Sequence, residues 1–152
     1  MADLIQTTID GSEFLVQGSD DWATPQPLFD KLNEEFGFTL DPCCTPETAK
    51  CEKYYTPVEN GLIQSWENER AFMNCSYSDI PTWAEKALFE TTKNGCELVV
   101  GLLPSWTDRA WFHNFIYPDK ADIRFLPKRV RFVLNGKEGR TPNFASMVVI
   151  WK

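Results

Sequence analysis

The sequence predicts an α/β protein, a three-layer fold in which a mostly parallel sheet lies between helices. Three observations carry this. Segments with apolar residues at helical spacing alternate with short apolar runs. One run, "CELVVGLLP" at 96–104, is apolar enough for a strand buried on both faces. Proline, glycine and Asn-Gly signals separate the segments at the intervals typical of strand–helix units. With 152 residues, 43% hydrophobic and 24% charged, the chain has the composition of one soluble domain with its own core.

Residues 1–20 are polar and weakly patterned, and read as an N-terminal arm or a small added strand ahead of a domain at 21–152. Thr24 followed by Pro25 reads as an N-cap with proline in the first turn. Leu28, Leu32 and Phe36 then fall at i, i+4 and i+8 before Gly37, which predicts a helix over 25–36. "FTLDPC" reads as a short strand ending in a carboxylate and a proline, and 44–70 as irregular. Strand character returns at 71–75. Asp79 and Pro81 open a second helix that ends at Asn94-Gly95, with Trp83, Ala84, Ala87, Leu88 and Thr91 on its apolar face. After the 96–104 strand, Thr107 is expected to cap a third helix containing Trp111, Phe112 and Phe115. "ADIRFL" and the terminal "ASMVVIWK" read as strands, and "RVRFVLNGK" contains the Asn-Gly signal of a hairpin.

No apolar run approaches the ~20 residues of a membrane span, and the first residues lack the basic start and apolar centre of a secretory signal. Five cysteines, an odd number clustered early, do not suggest a disulfide framework, so a reduced intracellular protein is expected. No CxxC pair is present and His113 is the single histidine, so no metal site is expected. The net charge is −7, but unevenly spread: residues 1–60 carry 12 acids against 3 bases, and 120–140 carry 7 bases against 2 acids. Lys128, Arg129 and Arg131 lie at the centre of that basic segment, which is either a phosphate-contacting surface or a solvated basic hairpin.

In open α/β sheets ligands bind beyond the carboxyl ends of the strands. Two strands end there in polar punctuation: Asp41-Pro42-Cys43 and Asn74-Cys75-Ser76-Tyr77. No GxGxxG turn follows the first strand, so a dinucleotide cofactor is not expected. From Asp21 onward, "WATPQPLFDKLNEEFGFTLDPC", "AKCEKYYTP", "NGLIQSW", the Asn-x-x-Tyr loop, "LLPSWTDRAWFH", "IRFLPKRVRF" and "SMVVIW" follow one another in an order that resembles the small phage-type DNA N6-adenine methyltransferases, a Dam-like family dependent on S-adenosylmethionine.

The resemblance implies a compact Rossmann-like methyltransferase fold without a separate target-recognition domain. It implies methyl transfer from S-adenosylmethionine to the N6 amine of adenine in double-stranded DNA. The setting it implies is DNA modification and restriction evasion by a phage in the bacterial host cytoplasm. Asn74 and Tyr77 match the family's catalytic loop, with the Cys75 carbonyl as second acceptor for the amine. Trp22, Thr24, Pro25, Asp41, Pro42 and Cys43 match its cofactor-binding positions. Trp111 and His113 are candidates for the substrate pocket (helix packing being the alternative for His113), and Lys128, Arg129 and Arg131 for weak, salt-sensitive DNA contact. The family loop is Asn-Pro-Pro-Tyr, whereas here Cys75 and Ser76 replace the prolines. Proline's fixed φ is lost and two N–H groups are added. The alternative is therefore a catalytically impaired relative that a phage keeps to bind a host protein or a nucleic-acid partner.

Overall fold

The computed structural model describes the backbone of residues 5–7 and 13–15 and the whole of 22–152. Strands β1 (Ile5–Thr7) and β2 (Glu13–Leu15) pair antiparallel with each other. The remainder of the expected arm lies outside the described residues.

Strand β3 (Trp22–Ala23) leads into helix α1 (Gln26–Phe36). The helix begins one residue later than expected. Pro25 holds the cap position with φ −55° and ψ 133°, and no side chain bonds the first turn, so Thr24 is not the cap. Gly37 closes the helix at φ 62°, donating its N–H to Asn33 O at 2.8 Å, a left-handed conformation that glycine adopts without strain. Phe29 and Leu32 are its buried residues, and the Phe29 ring meets Phe72 edge-on at 5.1 Å.

The strand expected in "FTLDPC" contracts to two bridges, Leu40 to Ala71 and Asp41 to Tyr54. Strand β4 (Arg70–Met73) is followed by helix α2 (Ile80–Lys93), strand β5 (Leu98–Pro104), the one-and-a-half-turn helix α3 (Ala110–Phe115) and strand β6 (Asp122–Phe125). Strands β7 (Val133–Leu134) and β8 (Lys137–Glu138) form the hairpin promised by Asn135-Gly136, both turn residues having positive φ. Strand β9 (Ser146–Trp151) comes last. Arg109, not Thr107, stands at the cap position of α3.

The main sheet, ordered β4-β5-β9-β6, is mixed where a mostly parallel one was expected. Its β4–β5 ladder is parallel, and its β5–β9 and β6–β9 ladders are antiparallel. The cause is the connections. Helix α2 carries the chain back over the sheet between β4 and β5, as a parallel pairing requires, whereas no helix lies between β6 and β9. Both antiparallel ladders therefore trace to β9, which runs against β4, β5 and β6. A second, small antiparallel sheet, β3-β7-β8, stands beside it.

Register assigns the two faces, since residues opposite one another share a face and neighbours along a strand alternate. Phe72, Val100, Leu102, Pro104, Ser146 and Val148 lie on the face that meets α1. Met73, Gly101, Leu103, Met147, Val149 and Trp151 lie on the face where the Trp151 indole donates to Phe115 O at 2.8 Å. All seven residues of β5 and all six of β9 are buried.

Helix α2 buries Ala84 and Ala87 as expected but leaves Trp83, Leu88 and Thr91 of the expected face half-buried, and it also buries Ile80 and Glu90, the latter fully. Glu90 accepts from the Trp66 backbone N–H and from Asn94 Nδ2 (2.7 Å to Oε2), and Lys86 Nζ lies 3.5 Å from it. Lys86 also donates to Gln64 O and sits 5.3 Å above the Trp66 ring. The irregular segment 61–68 is thereby clamped onto the helix.

Candidate active site

Leu40-Asp41, β4 and β5 all end on one edge of the main sheet, and β9 begins there. Asp41 is buried in the loop that follows Leu40. Its Oδ2 accepts the Lys50 N–H at 3.0 Å and its Oδ1 the Cys43 N–H at 3.4 Å, so the carboxylate ties the 41–50 loop together. Burial raises its pKa to about 6, against the opposing pull of those two N–H groups. Gly61 rests directly on this loop: a Cβ there would stand 2.0 Å from Pro42 O.

Asn74 follows β4 at the same edge, and alternation puts it on the α1 face. Its Nδ2 donates to Trp22 O at 3.2 Å, which aims Oδ1 the other way as an acceptor. Cys75 is buried, Ser76 is half-buried with φ −62°, and its hydroxyl is 2.9 Å from that of Ser78. Tyr77 is buried among aromatic rings, edge-on to Phe144 at 5.6 Å and to Trp106 and Phe132 at 6.2 Å each. Burial lifts its phenol well above the ordinary value, so it remains protonated. Its hydroxyl finds no hydrogen-bond partner among the described residues, and neither do the Trp22 indole N–H and the hydroxyl of Thr24, itself 1% exposed.

Two hollows flank the Asp41 loop. The larger, about 250 Å³, lies between that loop, Asn60-Gly61 and the start of α2, with Pro42, Ser76, Asp79 and Trp83 in its wall. The smaller, about 10 Å³, is bounded by Trp22, Thr24, Asp41, Lys50 and Asn74. Cys43 and Cys44 border both. Burial raises the Cys44 thiol strongly and that of Cys51 to about 12, so both remain protonated at neutral pH. Among the described residues no three His, Cys, Asp or Glu side chains gather to hold a metal ion.

A family model described as DNA N-6-adenine-methyltransferase (Dam) matches residues 11–152. The chain belongs to that family. The match starts ten residues before Asp21, where the motifs of the resemblance begin. The DNA N-6-adenine-methyltransferase of Haemophilus phage HP1 (strain HP1c1) is 27% identical over 137 residues, covering 88% of this chain and 79% of the phage protein. The Escherichia coli (strain K12) protein named "Putative methyltransferase YfdM" is 38% identical over 58 residues, 38% of this chain and 64% of that protein.

On this methyltransferase-family chain the structure brings Trp22, Thr24, Asp41, Cys43 and Asn74 around the small hollow and Pro42 and Cys43 into the larger one. Pro25 lines neither; its carbonyl accepts the first N–H groups of α1. Trp111 is buried against Phe112, and exposed His113 donates from Nε2 to Thr107 O at 2.8 Å, so neither borders the hollows. Lys128, Arg129 and Arg131 are exposed, while Val130, Phe132 and Phe144 of the same covering segment are buried. Arg129 donates to Pro142 O and Arg131 pairs with Glu138, each at 3.1 Å. Sequence reasoning missed Asn60, Gly61, Trp106, Phe132, Phe144 and Ser146. Alternation in "VRF" and "PNFAS" signals which of these face inward, but not what they face. Among the described residues no helix is long and apolar enough to cross a membrane.

Proposed function

We propose that this chain transfers the methyl group of S-adenosylmethionine to the N6 amine of adenine in DNA, on a Rossmann-like methyltransferase fold whose catalytic loop is Asn74–Tyr77. The observation that carries the reading is the orientation of Asn74: with Nδ2 held by the Trp22 carbonyl, Oδ1 is presented as an acceptor. An exocyclic adenine amine is a poor nucleophile because its lone pair is conjugated with the ring. Asn74 Oδ1 and the backbone carbonyl of Cys75 each accept one of its N–H bonds, which favours a tetrahedral nitrogen with its lone pair free for attack. The base leaves the duplex to reach this loop, and Tyr77 provides the aromatic face on which it stacks. Tyr77 does not act as a base; the amine proton leaves to solvent after the new N–C bond has formed.

The cofactor supplies a methyl on a sulfonium, whose departure leaves a neutral thioether. The donor set fits such a molecule. Pro42, Cys43 and Trp83 offer apolar walls and Asn60 and Asp79 polar groups in the larger hollow. Trp22, Thr24 and Asp41, two of them with unpartnered buried donors, face the charged amino-acid part. Pro25 contributes by fixing the start of α1 behind them. Lys128, Arg129 and Arg131 contact DNA phosphates, and Trp111 and His113 support α3 at the flank.

Tritiated-methyl incorporation into unmethylated DNA tests the reading in three forms: the parent, Cys75→Pro with Ser76→Pro, and the latter with Asn74→Ala. The φ of −62° at Ser76 already suits proline. The proline pair is expected to raise incorporation and Asn74→Ala to abolish it. Equal background counts in all three would leave the alternative, a binding protein with a relic of an active site.

A further inference from the structure

Ser146 opens β9 and is fully buried, yet its hydroxyl finds no hydrogen-bond partner among the described residues. A buried hydroxyl without a partner is costly, and such groups in a native fold call for an explanation. Its position supplies one. Register pairs Ser146 with Pro104, on the face of the sheet that also carries Phe72 and hence Asn74, two residues further along. The ladders set Leu102 and then Val148 across from Asn74, so Ser146 stands two strand spacings across the sheet and two residues along it, roughly 12 Å from Asn74 backbone to backbone. The two side chains share a face, and leaning toward each other they would hold a purine ring hydrogen-bonded at both edges. Phe144, two residues before Ser146, packs against Tyr77 and Trp106 at 5.6 and 5.7 Å.

We propose that the Ser146 hydroxyl reads the target base, donating to a ring nitrogen of adenine on the side away from the amine held by Asn74. The inference rests on the adenine reading proposed for Asn74 and deepens it. Asn74 accepts from the amine; Ser146 donates to the ring. A purine whose ring nitrogen is replaced by C–H loses the bond. The Phe144 ring turns aside when the base enters.

Ser105 is the internal control. Its hydroxyl is also buried and unpartnered, but its N–H extends the β5–β9 ladder to Ala145 O at 2.9 Å, which places it on the opposite face.

The experiment measures methyl transfer by the parent, Ser146→Ala and Ser105→Ala to duplexes carrying adenine or its 1-deaza, 3-deaza or 7-deaza analogue at the target, with thermal midpoints of all three proteins. For the 3-deaza analogue the parent should lose about tenfold in kcat/KM, as one hydrogen bond is worth, and Ser146→Ala should lose the same on adenine with no further loss on that analogue. Ser105→Ala should keep the parent's preferences. Both alanine variants should melt no lower than the parent, because each removes an unpaired hydroxyl; a hydroxyl serving only the fold would lower the midpoint instead. An active parent whose preference among the analogues survives Ser146→Ala overturns the base-reading role alone. A parent inactive on every duplex overturns the adenine reading, and this inference with it.

Discussion

Asp41 makes the residue-scale chemistry depend on pH in two opposite senses. Its pKa of about 6 in the folded chain lies above the ordinary aspartate value of 3.8. Its protonated form therefore favours folding: that contribution is fully present below about pH 3.8 and is lost as the pH rises through about 6. Binding of a cationic amino acid group runs the other way, since it requires the carboxylate. Calorimetric affinity for S-adenosylmethionine is expected to strengthen as pH rises through about 6, and Asp41→Asn to flatten that dependence. Ser76→Pro alone is expected to stabilise the chain by about 0.4–1 kcal/mol, because the backbone already holds φ −62°; an unchanged or lowered midpoint in urea would count against the loop geometry.

The elements that position the site are held by contacts between a regular helix and an irregular segment, and there sequence and structure part company. Helix α2 was legible from its apolar spacing and its Asn-Gly stop, and strand β5 from an unbroken apolar run. Glu90 was not: a carboxylate at a core position is tolerable only with partners, and the Trp66 N–H comes from a segment with no period to read. The Asp41 strand shrank to two bridges for a related reason, since strand length depends on the partner's register as well as on the strand's own alternation. Strand direction was illegible too, as nothing in "SMVVIW" reveals which way its neighbours run. The site loops themselves were legible as strand ends, but the rings around Tyr77, those of Trp106, Phe132 and Phe144, meet only when folding brings distant segments together. Glu90→Ala should cost about 3–5 kcal/mol in equilibrium unfolding by leaving Lys86 and the Trp66 N–H without their buried acceptor. Gly61→Ala should cost about 1–3 kcal/mol and weaken cofactor binding along with stability, since the loop must move off Pro42.

At the scale of the molecule, an acidic protein with net charge −7 presents a basic covering segment over the aromatic cluster. Repulsion between the acidic remainder and DNA is offset only locally, so binding should be weak and fall steeply with salt. Arg129→Ala together with Arg131→Ala should flatten the log–log salt dependence by about 1.8, or about 0.9 for each phosphate no longer neutralised; a slope unchanged by the pair would remove the segment from the DNA interface.

The antiparallel strand β9 has a consequence for how the chain is made. It is last in sequence, yet it fills an inner place in the main sheet, between β5 and β6. During synthesis from the N-terminus, β5 keeps an unpaired edge and β6 has no partner strand until residues 146–151 have emerged. Those open edges can pair with other chains. The main sheet should therefore stay incomplete until residues 146–151 have emerged, and nascent chains halted at residue 145 should remain protease-sensitive and depend on holding chaperones.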